Sequence, residues 1–122
     1  MPLTTQVWIS AAARKVLEKF ATKDKVGAAR WGKQLRRCAE SGFELWIGDQ
    51  SLVRHKWNRV FAFQTGILLR VVGFFPNGNY REFVIIDAYW KSGQRMDATD
   101  RERVDRVSQV RSSGGWQRST TP

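Results

Sequence analysis

Residue types that often carry chemistry are scarce in this chain of 122 residues. It contains a single cysteine, Cys38, and a single histidine, His55. One cysteine excludes an internal disulfide and a thiolate metal site, so we expect neither a metal nor another cofactor. A chain that uses cysteine so sparingly fits the reducing cytoplasm, which is the localisation we expect.

Long apolar stretches are absent as well. No run approaches the ~20 apolar residues that a membrane-spanning helix needs, so no membrane partner is expected. The first nine residues are too short and too polar to resemble a signal peptide. Hydrophobic residues make up 42% and charged residues 26% of the chain, as in an ordinary globular protein. We therefore predict one domain over residues 1–111 and a flexible polar tail over residues 112–122.

Acidic residues are few compared with basic ones. The chain has 21 lysines and arginines against 11 aspartates and glutamates, which gives a net charge of +10. Such an excess on a small surface attracts phosphate backbones, because binding releases the counterions that surround a nucleic acid. The charge favours a nucleic acid or a nucleoprotein as the partner, and we expect RNA. The alternatives are a charge that serves solubility and a basic face that an acidic protein covers.

The first third of the sequence predicts a strand and two helices. Residues 5–9 are β-prone, and Ser10 is a suitable N-cap for a helix that runs to about Ala21. After a Thr22-Lys23 turn, Asp24 caps a second helix, and Gly42 ends it. The apolar stripes of the two helices are Ala13, Val16, Leu17 and Phe20, and Ala28, Trp31, Leu35 and Cys38.

The rest of the sequence predicts three strands and a helix. Residues 60–63, 67–75 and 80–90 are rich in β-branched and aromatic side chains. A capping box, Thr99 to Glu102, opens a helix that continues to about Arg111, with Val104, Val107 and Val110 facing inward. We predict an α+β fold in the order β-α-α-β-β-β-α, in which a small antiparallel sheet carries an N-terminal helical hairpin and a C-terminal helix on one face.

Two predicted turns, Thr65-Gly66 and Asn77-Gly78, set the register of the three strands. If each is a two-residue hairpin loop, Arg70 faces Phe61 on one side and Ile85 on the other. Period-two alternation then sorts the sheet into two faces. The predicted helix-covered face is aliphatic: Val60, Ala62, Ile67, Leu69, Val71, Val84, Ile86 and Ala88.

The second predicted face mixes arginines with aromatic rings and has no helix assigned to it. Its residues are Arg59, Phe61, Phe63, Arg70, Phe74, Arg81, Phe83, Asp87, Tyr89 and Lys91, joined by His55 and Trp57 if the strand at residues 60–63 extends backwards without a bulge. Rings can stack on bases and guanidinium groups can bind phosphates, so this face suits RNA. The alternative is a second small core under the C-terminal helix, with Arg70 paired to Asp87.

Two stretches on the last strands resemble a known family. Residues 68–75, Leu-Leu-Arg-Val-Val-Gly-Phe-Phe, followed by Asn77-Gly78, resemble the arginine, aliphatic and aromatic stretch of the RelE/HigB-like toxins of the RelE/ParE superfamily. Residues 83–95, Phe-Val-Ile-Ile-Asp-Ala-Tyr-Trp-Lys-Ser-Gly-Gln-Arg, are similar to the last strand and basic run of the HigB-type branch. The order of elements also matches that family over residues 5–111.

The resemblance implies the toxin of a type II toxin–antitoxin pair. Such a toxin is a metal-independent endoribonuclease that cleaves mRNA, usually on the ribosome, and is silenced by an antitoxin protein. In this chemistry a ribose 2′-OH attacks the adjacent phosphate, which requires a proton acceptor, a cation at the phosphate and a proton donor. By position, Arg70 would stabilise the transition state, Lys91 matches the basic residue that ends the last strand, and Tyr89 matches the expected aromatic.

The remaining candidate residues complete that hypothesis. His55 is the candidate that could supply a further catalytic group from the preceding segment. The residues expected to contact RNA are Arg59, Phe61, Arg81, Arg95 and Trp57. The chain departs from the family at Val60 to Gln64, where charged residues are common, and at Asp87, where histidine is common. The alternative function is a catalytically silent nucleic-acid-binding or protein-interaction module on the same fold.

Overall fold

The computed structural model describes residues 5–42, 53–57, 60–65, 69–77, 80–90 and 98–116, with the backbone alone for residues 53–57 and 61–65. These residues form an α+β fold, as predicted. In chain order the elements are β1 (Gln6–Ile9), α1 (Ala11–Lys23), α2 (Lys25–Ser41), β2 (Val53–Trp57), β3 (Val60–Thr65), β4 (Leu69–Phe74), β5 (Glu82–Trp90) and α3 (Ala98–Ser113).

The helical hairpin begins and ends where its capping residues stand. The Ser10 hydroxyl accepts a hydrogen bond from the Ala13 N–H at 3.1 Å, and the Asp24 carboxylate accepts one from the Gly27 N–H at 2.8 Å. Gly42, with φ of 91°, ends α2 in a conformation that glycine adopts without strain. The predicted turn at Thr22-Lys23 is wrong, because α1 continues through Lys23 and Asp24 alone joins the helices.

The sheet has the order β1-β5-β4-β3-β2. Residues 53–57 form a separate edge strand, which adds β2 to the predicted order. β3, β4 and β5 pair antiparallel as predicted, the added strand β2 pairs antiparallel with β3, and β1 lies parallel to β5. A parallel neighbour is possible there because α1 and α2 form part of the long connection that separates β1 from the rest of the sheet.

The predicted register of both hairpins is wrong. Phe61 faces Gly73 instead of Arg70, and Arg70 faces Tyr89 instead of Ile85. The connections are longer than two residues: Thr65 pairs with Leu69, and the pairing of β4 with β5 ends at Phe74 and Val84. A bulge opposite Val72 and Gly73 leaves Ile86 as an extra residue in β5.

The corrected register also changes the two faces of the sheet. Leu69, Val71, Phe83, Ile85 and Ala88 join the core beneath α1 and α2. Val60, Val72, Phe74, Val84 and Tyr89 instead form a second core with Val104 and Val107 of α3. The predicted arrangement, with all helices on one face, is therefore wrong. The helical hairpin covers one face and α3 covers the other.

α3 begins earlier and ends later than its sequence signals predict. It starts at Ala98, so Thr99 lies inside the first turn and is not the N-cap. It continues to Ser113, and the ring of Trp116 packs against Phe74 with centroids 5.3 Å apart. Residues 112–116 of the predicted tail thus belong to the folded part, and residues 117–122 lie outside the described residues.

Candidate functional site

An ion pair lies buried between the sheet and α3. Arg70, in β4, places its Nε 3.3 Å from the Oδ1 of Asp100, and the two side chains are 2% and 0% exposed. Asp100 stands in the first turn of α3, where the partial positive charge of a helix N-terminus favours a carboxylate. The sequence correctly identified Arg70 as unusual, but its expected partner, Asp87, is wrong. A carboxylate from the covering helix takes that place.

Tyr89 joins the same carboxylate. Its hydroxyl donates a hydrogen bond to Asp100 Oδ1 at 2.5 Å, and its backbone faces Arg70 directly across β4 and β5. Burial, the hydrogen bond to Asp100 and the negative charges of Asp100 and Asp87 raise the pKa of Tyr89 above its ordinary value, while the charge of Arg70 opposes the shift. The Tyr89 hydroxyl therefore stays neutral and keeps the proton with which it donates the hydrogen bond to Asp100.

A second, more exposed ion pair flanks this cluster. Arg103 of α3 places Nη1 3.0 Å and 3.1 Å from the two carboxylate oxygens of Asp87, so a single guanidinium nitrogen bridges both. Its guanidinium carbon also lies 4.8 Å from the centroid of the Tyr89 ring, within the range of a cation–π contact. Asp87 thus holds α3 to β5, and Arg103 covers the outer side of Tyr89.

These contacts keep the sheet residues beneath α3 away from solvent. Arg70 and Tyr89 are 1% and 4% exposed. Phe74 and Val84, which pair with each other further along the same two strands, are fully buried. The part of the predicted RNA face that carries Arg70, Phe74 and Tyr89 is therefore covered. Phe74 belongs to the second core, as the alternative prediction had it, whereas Phe83 lies in the hairpin core on the opposite side.

The structure brings some of the predicted site residues together and separates others. Arg70 and Tyr89 are cross-strand neighbours. His55 lies on edge strand β2, whose backbone is about 10 Å from β4 at the usual strand spacing. Trp57 shares that edge strand, and Phe61 lies in β3 facing Gly73.

The other predicted contacts are one exposed arginine and residues whose placement is not described. Arg81 is exposed immediately before β5, and its carbonyl accepts a hydrogen bond from the Gln6 N–H at 2.7 Å. Arg59, Lys91 and Arg95 lie outside the described residues. Among the residues that are described, no group of three or more metal-ligating side chains occurs, and no helix is long and apolar enough to cross a membrane.

A second candidate surface, on the helical hairpin, was missed from the sequence. Arg30, Lys33 and Arg37 of α2 are all exposed. At about 100° per residue, they lie within about 60° of one another around the helix axis. The opposite side of α2 carries Trp31, Leu35, Cys38 and Ala39, which are buried in the hairpin core. The spacing i, i+3, i+7 of these cations in the sequence already contained this signal.

α1 carries a row of exposed cations as well. Lys15, Lys19 and Lys23 follow one another at intervals of four residues and are all exposed. Over residues 11–41 the hairpin carries nine basic residues and three acidic ones. One of those acids, Asp24, caps α2, and another, Glu40, forms an exposed ion pair with Arg36 at 3.8 Å. We call the exposed lysines and arginines of α1 and α2 the hairpin basic surface.

Comparison with known proteins adds no assignment. No protein-family model matches the sequence, and no similar chain was found among curated proteins.

Proposed function

We propose that this chain binds RNA through the hairpin basic surface and is the toxin of a type II toxin–antitoxin pair. The observation that carries the RNA-binding part is the row of exposed cations on α2, Arg30, Lys33 and Arg37, opposite the buried stripe. A row of cations along one helix can follow a phosphate backbone and release its counterions. The positive charge by itself does not distinguish RNA from DNA. The toxin part of the proposal rests on the resemblance of the β4 and β5 sequences to the RelE/HigB-like toxins.

The catalytic part of the proposal concerns Arg70 and Lys91. In the reaction, the 2′-OH gives its proton to an acceptor and its oxygen bonds to phosphorus, the bond from phosphorus to the 5′-oxygen breaks, and a proton passes to that leaving oxygen. Arg70 would stabilise the charge that develops on the phosphate oxygens, and Lys91 would assist at the leaving oxygen. Because α3 buries Arg70 on the face of the sheet opposite the helical hairpin, this chemistry requires α3 to move away from the sheet and the bound RNA to extend around the sheet's edge.

The burial of Arg70 also favours a second candidate function, a catalytically silent RNA-binding module. An arginine that is paired with Asp100 inside the second core has a sufficient structural role without substrate. In that case the hairpin basic surface would act alone. The two candidates share the binding surface and differ only in whether bound RNA is cut.

RNA binding is tested by measuring the affinity of the full chain for labelled RNA over a series of salt concentrations. Changing Arg30 and Arg37 together to glutamine should reduce the slope of log affinity against log salt by about 1.4, since each phosphate contact contributes about 0.7 on a single strand. The matched control is Arg101→Gln with Arg106→Gln, two exposed arginines of α3, which lowers the net charge equally. Equal losses in both variants would contradict a hairpin surface.

Toxicity and cleavage are tested by induced expression, with growth and mRNA integrity followed together. The toxin proposal expects growth arrest, cut mRNA and rescue by a co-expressed antitoxin that forms a stable complex. Cleavage by the purified chain should persist in a metal chelator. RNA binding without arrest or cleavage would identify the silent module. A chain that binds no RNA at low salt would overturn both candidates.

A further inference from the structure

The indole of Trp90 is exposed at the end of the sheet. Trp90 is the last residue of β5, its backbone is paired with Leu69, and its side chain remains 41% exposed. The ring is held by an edge contact with Phe20 of α1, with centroids 5.2 Å apart at an angle of 65°. Phe20 thus holds the ring in place while a substantial part of the side chain remains open to solvent.

One lysine lies over this ring, and further exposed lysines follow on α1 and α2. The Nζ of Lys23, the last residue of α1, lies 5.6 Å from the indole centroid, in the range of a cation–π contact. Lys25 begins α2 just beyond Asp24 and is exposed. Lys19 and Lys15 continue from Lys23 along α1, each about 6 Å further along the helix axis. The hairpin basic surface therefore leads to an exposed aromatic ring.

We propose that Trp90 is a base-stacking site for single-stranded RNA, and that Lys23 binds the phosphate next to the stacked base. This inference rests on the proposed RNA binding. An indole can stack on any base, because every base has a flat aromatic face. Bases within a duplex are already stacked on each other and cannot reach the ring, so the site selects unpaired nucleotides. The lysines of α1 would hold the backbone of the same strand.

The test compares binding of a short single-stranded oligouridylate with binding of an RNA duplex of equal length. Trp90→Ala should weaken single-strand binding by about tenfold, within the range seen for the loss of one stacked base, and should leave duplex binding unchanged. Trp90→Phe, which retains a flat ring, should restore most of the affinity. Lys23→Gln should reduce the salt slope by about 0.7 on the single strand.

Tyr80 provides a matched control. It is 37% exposed, its ring also makes an edge contact with a phenylalanine, Phe75, and it precedes the opposite end of β5, on the order of 30 Å from Trp90. Tyr80→Ala should leave single-strand binding unchanged. Thermal melting of each variant separates a local loss of contact from unfolding, and Trp90→Phe keeps the test valid if Trp90→Ala is poorly folded.

The outcomes distinguish this site from the proposed function. If the unmodified chain binds RNA with a steep salt dependence but Trp90→Ala binds single strands equally well, the stacking site is wrong and RNA binding stands. If folded Trp90→Ala weakens single-strand and duplex binding equally, Trp90 does not select unpaired bases and the proposal is overturned. If the unmodified chain binds neither RNA, both proposals fail.

Discussion

Asp100 of α3 reaches into the sheet and pairs with Arg70 at 3.3 Å, with both side chains almost completely removed from solvent. The pair ties the N-terminal turn of α3 to the start of β4, and the hydroxyl of Tyr89 donates a hydrogen bond to the same carboxylate from β5. An isolated charge at this depth would be strongly destabilising, so each partner depends on the other. The second core is therefore assembled around a polar centre.

Removing the charge of Asp100 should destabilise the fold. Asp100→Asn leaves the guanidinium of Arg70 buried without the carboxylate, so the free energy of unfolding should fall by about 3–5 kcal/mol. Urea denaturation followed by circular dichroism measures the change. Asp105→Asn, on the exposed side of the same helix, is the control and should change it by less than about 0.5 kcal/mol. An Asp100→Asn variant as stable as the unmodified chain would mean that the pair contributes little.

Alkaline pH should weaken the fold through Tyr89. Burial and Asp100 raise the pKa of Tyr89, so the phenol ionises near its ordinary value of 10.0 only in the unfolded chain. The unfolded state then loses protons that the folded state retains, and stability falls as pH rises above 10.0. Tyr89→Phe should remove this part of the pH dependence.

The measurement is the free energy of unfolding of both proteins at several pH values between about 9 and 11. Burial also raises the pKa of the Cys38 thiol from 9.0 to about 12, which adds its own loss of stability in alkali. That contribution is common to both proteins and cancels in their difference. Parallel pH profiles for the unmodified chain and Tyr89→Phe would show that Tyr89 does not link protonation to folding.

Two glycines should respond oppositely to substitution by alanine. At Gly73 in β4, an added Cβ would collide with the backbone carbonyl oxygen of Val84 and with the ring of Phe83, so Gly73→Ala should destabilise the chain by about 1–3 kcal/mol. At Gly32 in α2, the added Cβ meets nothing within 4 Å, so Gly32→Ala should stabilise the helix by up to about 1 kcal/mol. Thermal melting measures both changes. A gain in melting temperature at Gly73 would contradict the close approach.

Local signals predicted the helices well, and the long-range pairing of the strands poorly. Ser10, Asp24 and Gly42 act within a few residues of themselves, so their capping roles follow from the sequence. Register depends on turn length, and the residues after Phe74 form a longer connection that Asn77 and Glu82 stabilise with a side-chain hydrogen bond of 2.7 Å. The pairing of β3 with β4 differs from the predicted register by three residues, since Phe61 faces Gly73 and not Arg70. A shift by an odd number of residues places the side chains of a strand on the opposite face of the sheet.

The partner of Arg70 was unpredictable for a related reason. The sequence indicates that an arginine between Leu69 and Val71 needs a compensating charge, and Asp87 was the nearest candidate within the sheet. Asp100 lies thirty positions away and reaches Arg70 only because α3 returns across the sheet. The row of cations on α2, Arg30, Lys33 and Arg37, could be predicted from the spacing of these residues in the sequence. The exposure of Trp90 could not, because it depends on how α1 packs beside β5.

Arg70 gives the sharpest separation between a catalytic and a structural role. If it stabilises the transition state, Arg70→Ala should reduce single-turnover RNA cleavage by about 10²–10³-fold, as when one charge-stabilising donor is removed from an active site. RNA binding should weaken far less, because many other cations contribute. Lys91→Ala should behave in the same way, whereas Lys33→Ala, on the exposed side of α2, should only reduce the salt dependence of binding.

Stability must be measured on the same preparations, since Arg70→Ala also leaves Asp100 buried without its cation. A structural role alone expects a lower melting temperature for Arg70→Ala and, below that temperature, cleavage equal to that of the unmodified chain. A catalytic role expects the loss of cleavage to persist in the folded variant at every temperature. If Arg70→Ala does not fold, Lys91→Ala tests the catalytic site instead. A folded Lys91→Ala variant with full activity would contradict a cleavage site at the C-terminal end of β5.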